Sequence, residues 1–268
     1  MFFPGLTMRP FVDTLATLVR YRELILSLVA RELQARYRGS LLGMAWTFLN
    51  PLLLLAVYAL VFSVYMRVNL ENYAVYMFAG LLPWIWFAAS MMDGVNAVVA
   101  SGNLVTKSMF PAETLPMVKI LANFFNYLFS LPLLALFMIA YGTPFTAALL
   151  WLPLVALAQL LFTTGLVYLL SAVNVRYRDV QHILGNFITL WFFLCPIIYP
   201  VASVPEEWRF TFYLNPMAVI TMGYHDVFIN GQRPDLAALC AVVALGVALM
   251  YLGFRQFELG RETFAEEI

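Results

Sequence analysis

The stretch "ARYRGSLLGMAW", Ala35 to Trp46, sets two arginines and a turn-capable glycine hard against the start of a long apolar run. Beyond Trp46 the apolar character continues to about residue 66, enough for a helix that needs roughly 20 mostly apolar residues to cross a bilayer. Runs of this kind recur along the chain. Of its 268 residues, 63% are hydrophobic and only 11% charged, and the mean hydropathy is +0.84. A soluble domain carries about 45–50% apolar and about 25% charged residues, so this composition is that of an integral membrane protein with several spans. Transmembrane β-strands alternate in hydrophobicity over segments of about 10 residues. These runs are continuously apolar instead, which predicts an all-α fold.

Six spans are predicted, at about 41–66, 74–92, 118–141, 148–172, 183–200 and 236–254. Pro196 and Pro200 interrupt the end of the fifth, and only "YGTPFT" joins the third to the fourth. The implied organisation is an N-terminal cytoplasmic interface helix and gate over 1–40, a transmembrane domain over 41–254, and a short cytoplasmic tail over 255–268. Positive charge sets the orientation, because basic residues stay on the cytoplasmic side. With both termini inside, twelve of the fifteen Lys and Arg are cytoplasmic, and only Arg67, Arg209 and Arg233 are outside. The N-terminal "MFFPGLTMRPFVDTL" lacks a basic region followed by a sustained apolar stretch, so the first span itself is expected to direct insertion.

Before the first span, Arg20, Glu23, Ser27, Arg31, Gln34 and Arg38 recur at spacings of three and four, along one helical face. Leu18, Ile25, Val29 and Leu33 take the opposite face. An amphipathic helix beside a span rests in the interface plane. It serves either as a plain anchor or as part of a gate.

Several chemistries are excluded. There is no phosphate-binding Gly-x-x-x-x-Gly-Lys-Ser/Thr loop, no His-Glu-x-x-His and no Gly-x-Ser-x-Gly. His182 and His225 stand alone, which makes a histidine metal site improbable. Cys195 and Cys240 lie in apolar runs and read as buried small hydrophobes. The net charge of zero gives no sign of a nucleic-acid partner. Spans one, three, four and six carry essentially no ionisable group in their interiors, and Asp93 falls at the cytoplasmic end of span two. Proton and sodium coupling rely on such groups, so a channel-like or externally powered exporter remains. The chain has no means of hydrolysing ATP, and any ATPase must be another chain.

Four segments carry a family resemblance: "RELQARYRGSLLGMAWTFLNPLL" (31–53), "NLVTKSMFPAETLP" (103–116), "NVRYRDVQHI" (174–183) and "YLNPMAVI" (213–220). In order and spacing they resemble the permease subunit of bacterial type-2 ABC polysaccharide exporters, which include O-antigen, capsule and wall teichoic acid exporters. The resemblance implies a homodimer forming one conduit in the bacterial cytoplasmic (inner) membrane, with two copies of a separate ATPase that binds ATP and Mg. No cofactor is implied in this chain. The implied substrate is a long glycan on an undecaprenyl-type lipid, with O-antigen first, then teichoic acid or capsule. A drug or small-lipid efflux permease of the wider superfamily is the alternative.

Each segment also has a physical reading. Arg36 and Arg38 sit where the interfacial helix meets the first span, with Gly39 and Gly43 permitting a bend. Guanidinium groups match phosphate oxygens, so the pair either reads the pyrophosphate head of the substrate or anchors the span against anionic lipid. Alanine at both positions is expected to leave assembly intact and reduce export. The loop after the second span is placed by the resemblance against the ATPase, with Asn103, Lys107, Phe110, Pro111 and Glu113 as contacts. Pro111 and Pro116 break it into two short helices. Arg176, Arg178 and Asp179 offer polar contacts in the second cytoplasmic loop, or merely keep it solvated.

The segment "CPIIYPVASVPEEWRFTFYLNPMAVITMGYHDVFINGQRP" (195–234) is too rich in proline for a clean span and too apolar for a free loop. A re-entrant pair of short helices fits, shielded by protein or lining a cavity. The resemblance makes this the periplasmic exit gate, with Pro200, Pro205, Trp208, Asn215 and Pro216 delimiting its pieces. Trp84, Trp86 and Phe87 fall near mid-span, where they either line a glycan conduit by stacking on sugar rings or pack between helices.

Overall fold

The computed structural model describes residues 9–36, 38–65, 72–102 and 111–267. Among these the chain is helical, without strands. Four helices are long and apolar enough to cross a membrane: Tyr73–Val95, Thr114–Ala140, Ala147–Arg176 and Leu236–Gly260. They correspond to the second, third, fourth and sixth predicted spans. In chain order the helices are α1 (Arg9–Arg20), α2 (Arg22–Arg36), α3 (Trp46–Ala59), α4 (Tyr73–Val95), α5 (Ala97–Ala100) and α6 (Thr114–Ala140), then α7 (Leu152–Arg176), α8 (Asp179–Phe193), α9 (Phe210–Leu214), α10 (Pro216–His225) and α11 (Leu236–Glu267).

The first and fifth predicted spans are shorter than expected. The apolar helix of the first runs over Trp46–Phe62, after a single turn at Gly43–Ala45, and passes into a π-type turn at Leu60–Tyr65. The fifth, α8, stops at Phe193 after 15 residues. At 1.5 Å per residue that is about 22 Å, against about 30 Å for a hydrocarbon core. Pro196 lacks an N–H and disfavours helix in the residue before it, so the chain leaves the helix ahead of both prolines. At the C-terminal end α11 continues as one helix from Leu236 to Glu267, through most of the expected tail.

α4 is the centre of the bundle, with 78% of its most apolar window buried, against 28% for α11. It runs antiparallel to α6, with Phe78 against Phe137 and Trp86 against Phe124. It runs parallel to α7: buried Gln159 donates to the Pro83 carbonyl at 2.8 Å, and Asn174 donates to Val95 O at 3.3 Å. α7 and α11 run parallel and very close. A Cβ on Gly165 would lie 2.6 Å from Gly246 O, one on Gly246 2.8 Å from Phe162 N, and one on Gly253 2.7 Å from Leu169 N. Small residues at such a seam let two backbones meet where lipid offers no hydrophobic drive for association.

Two helices, α1 and α2, precede the first apolar helix. Leu18, Ile25 and Val29 are buried, and Leu33 packs against the core. Arg20, Glu23, Ser27, Arg31, Gln34 and Arg38 are exposed. α1 meets the far part of α11 through Phe11 and Phe254, ring centres 5.6 Å apart. α2 lies along α6, where Glu32 pairs with Lys119 at 2.6 Å. This charged end of the bundle also holds the C-terminus of α4 and the N-terminus of α6.

At the opposite end the 195–234 segment forms short helical pieces around α10, whose residues from Met217 to Thr221 and Gly223 to His225 are buried. Tyr76 of α4 donates its hydroxyl to the carbonyls of Pro196 and Tyr199, both at 3.0 Å, and Tyr73 donates to Ile198 O at 2.9 Å. Cys195 is buried as expected, whereas Cys240 is exposed on α11, and both are free thiols.

Candidate functional site

Gly39 and Gly43 have φ of 78° and 51°, backbone that a Cβ strains. Nothing lies within 4 Å of a Cβ built on either, so these glycines serve the turn and not a close contact. The turn ends α2 and starts the first apolar helix, placing Arg36 over the mouth of a cleft. There the Arg36 guanidinium donates to Asp93 Oδ2 at 2.9 Å and to Asn123 Oδ1 at 2.9 Å, and Asn123 Nδ2 donates to Asp93 Oδ2 at 3.1 Å. Three elements, α2, α4 and α6, are tied by one charge-neutral cluster.

This arrangement gives Arg36, one of the two expected headgroup readers, a carboxylate partner within the chain. Its charge is already met by Asp93, which the sequence placed at a helix end with access to water. Arg38, two residues on, is exposed. The two arginines therefore have different surroundings, and a double alanine variant mixes two effects.

Under the cluster, α3, α4 and α6 enclose a cavity of about 360 Å³. Asn123, Asn126 and Ser130, spaced three and four along α6, face Asn50 of α3 and Trp86 of α4 across it. The sequence reading missed this stripe, although polar residues at helical spacing inside an apolar span were there to be noticed.

The mid-span aromatics are core residues in this structure. Trp86 and Phe87 are buried, Trp86 stacking on Tyr127 at 5.1 Å and Phe87 meeting Trp191 edge-on at 5.3 Å. Both rings pack between helices in this structure. Trp84 is also buried, but it borders an outward groove with Leu54, Tyr58 and Phe192.

Of the expected ATPase contacts, Asn103, Lys107 and Phe110 lie outside the described residues. Pro111 and Glu113 are buried inside the chain, and the Tyr168 hydroxyl donates to the Glu113 backbone carbonyl. Arg176, Arg178 and Asp179 are exposed at the turn between α7 and α8.

Of the exit-gate residues, Pro200 and Pro205 precede single turns at Val201–Ser203 and Glu206–Trp208, and Trp208 is exposed. Pro216 opens α10, a position where its missing N–H is no loss. Asn215 is a structural hub. Its Oδ1 accepts from Trp191 Nε1 at 2.8 Å and from the N–H groups of Met217 and Ala218, and its Nδ2 donates to Leu194 O at 3.1 Å. Asn215→Ala removes the cap of α10 and strands the indole, at a cost of about 2 kcal/mol. The expected result is a clear drop in the melting temperature of the purified protein, and an unchanged value would contradict the assignment of Asn215 as a hub.

The four long apolar helices packed in one bundle are those of a multi-pass membrane protein. The sequence matches the ABC-2 type transporter family over residues 23–229, and the chain belongs to that family. It is 45% identical over 253 residues to the O-antigen export system permease protein RfbA of Myxococcus xanthus, covering 94% of this chain and 97% of that one. A Klebsiella pneumoniae protein of the same name is 29% identical over 245 residues, covering 91% and 94% of the two chains. The polysialic acid transport protein KpsM of Escherichia coli is 23% identical over 240 residues, covering 88% and 93%.

Proposed function

We propose that this chain is the transmembrane subunit of an ATP-driven exporter that moves lipid-linked polysaccharide, O-antigen in the first place, across the bacterial inner membrane. The carrying observation is 45% identity, over nearly the full length of both chains, to a protein named as an O-antigen export permease. The weaker likeness to a polysialic acid transport protein makes capsule export by the same architecture the second reading. Two copies of the chain form the conduit, and two copies of a separate ATPase bind ATP and Mg beneath it. Both termini are cytoplasmic, so the charged end with Arg36, Asp93 and Lys119 faces the ATPase. The spans number six, with α3 and its π-type turn as the first and α8 with residues 194–199 as the fifth. The segment around α10 closes the periplasmic mouth. Closure of the ATPases on ATP moves the loops at 103–113 and 176–179, opens the gates and advances the glycan stepwise.

Affinity purification of the tagged permease from its own cells tests the assembly. Recovery of an ABC ATPase in equal amount, with ATP hydrolysis that rises when lipid-linked glycan is added, is the expected result. Recovery of permease without any ATPase would contradict it.

A further inference from the structure

The cavity between α3, α4 and α6 is lined in part by polar atoms that no described residue matches. The Asn126 amide is buried at both Nδ2 and Oδ1, and neither atom has a hydrogen-bond partner among the described residues. The same holds for Trp86 Nε1, on a side chain only 1% exposed. Both residues line the cavity. The Trp86 ring is fixed by its stack on Tyr127, and the Ser130 hydroxyl donates to Asn126 O at 2.9 Å, leaving its oxygen as an acceptor. Leaving such groups unmatched inside an apolar span is costly, so a ligand that supplies what they lack would be held here.

The chemistry of that ligand follows from the donor and acceptor set. Trp86 Nε1 and Asn126 Nδ2 ask for acceptors, while Asn126 Oδ1 and Ser130 Oγ ask for donors. Phosphate oxygens accept only and leave Oδ1 unmatched. A hydroxyl both donates and accepts. The charge balance agrees, because Asp93 cancels Arg36 at the mouth of the cleft. The volume, about 360 Å³, falls within the range of small-molecule sites, about 300–1,000 Å³. We propose that this cleft is a sugar-binding site within each protomer, holding a neutral, hydroxyl-rich portion of the transported glycan through Asn126, Trp86 and Ser130. The proposal rests on the export function given above and names the part of the substrate that this site takes.

A photo-reactive benzophenone amino acid at Asn50, on the rim of the cleft, tests it in cells that make the strain's own lipid-linked glycan. The full chain, assembled in its membrane, is expected to yield a sugar-bearing adduct. Asn126→Leu is expected to lower that yield at least tenfold, and Trp86→Phe, which keeps a ring and removes the N–H, three- to tenfold. Asn126→Leu is also expected to melt no lower than the parent protein, since it removes an unmatched buried amide. An adduct of phospholipid alone, no adduct at all, as for a cleft holding only water, or equal sugar capture by Asn126→Leu would each overturn the site. Export measured in the same cells keeps the two claims apart. Equal sugar capture with normal export by Asn126→Leu removes the site and leaves the permease assignment standing. Export that proceeds without the chain removes the assignment itself.

Discussion

Gly246→Leu is expected to abolish recovery of folded protein. The added side chain would start 2.8 Å from Phe162 N and 3.0 Å from the Leu161 carbonyl carbon, backbone atoms that no rotamer change can move. α7 and α11 would have to part along the seam that Gly165 and Gly253 share. Overpacking a well-filled core typically costs 1–3 kcal/mol, and rigid backbone on the receiving side puts this case above about 3 kcal/mol. Gly246→Ala is expected to be intermediate. Gly185→Ala is the neutral control, since its Cβ would meet only the tip of Met92 at 3.6 Å. Size-exclusion profiles in detergent distinguish the three, and a sharp, full-height peak from Gly246→Leu would contradict the seam.

The second large effect is expected from Asp93. Asp93→Ala leaves the Arg36 guanidinium with Asn123 alone and unties α2 from α4. The two charged side chains are about one-third exposed, at 30% and 37%, so the direct coupling is modest, about 1 kcal/mol. The functional effect is expected to be much larger, at least a tenfold loss of export, because α2 joins the charged end of the bundle to the first span. A charge exchange, Arg36→Asp with Asp93→Arg, is expected to recover a substantial part of that loss. Arg38→Ala tests the expected headgroup reading apart from the cluster: export should fall while α2 stays in place. Hydrogen exchange along 22–36 reports the first effect and surface glycan the second. Equal exchange in Asp93→Ala and the parent would rule out the tie.

How far the sequence discloses this protein depends on the distance over which each feature acts. Helical class, four full-length spans and the apolar face at Leu18, Ile25 and Val29 follow from composition and a period of 3.6, both local. The lengths of α3 and α8 were harder to read. Apolarity continues past the point where Pro196 ends one helix, and a π-type turn at Leu60–Tyr65 changes the other without any change in hydropathy. Partners were not legible at all. Arg36 and Asp93 lie 57 positions apart and Arg36 and Asn123 lie 87 apart, and no local pattern joins them. Trp86 and Phe87 show the same limit in reverse: an aromatic near mid-span has one periodicity whether it faces a conduit or a neighbouring helix. Burial of Pro111 and Glu113 was hidden by their setting in a loop that looks solvent-facing.

The most direct test of the export function is the fate of the glycan in a strain that lacks this chain. Surface polysaccharide is resolved on a gel, and fractionated cells are probed for polymer still attached to its isoprenoid lipid. The account predicts loss of long glycan from the surface and its accumulation on the cytoplasmic side as lipid-linked polymer, reversed by the intact gene. Unchanged surface glycan with no internal accumulation would contradict it, leaving a permease of this family with a different cargo.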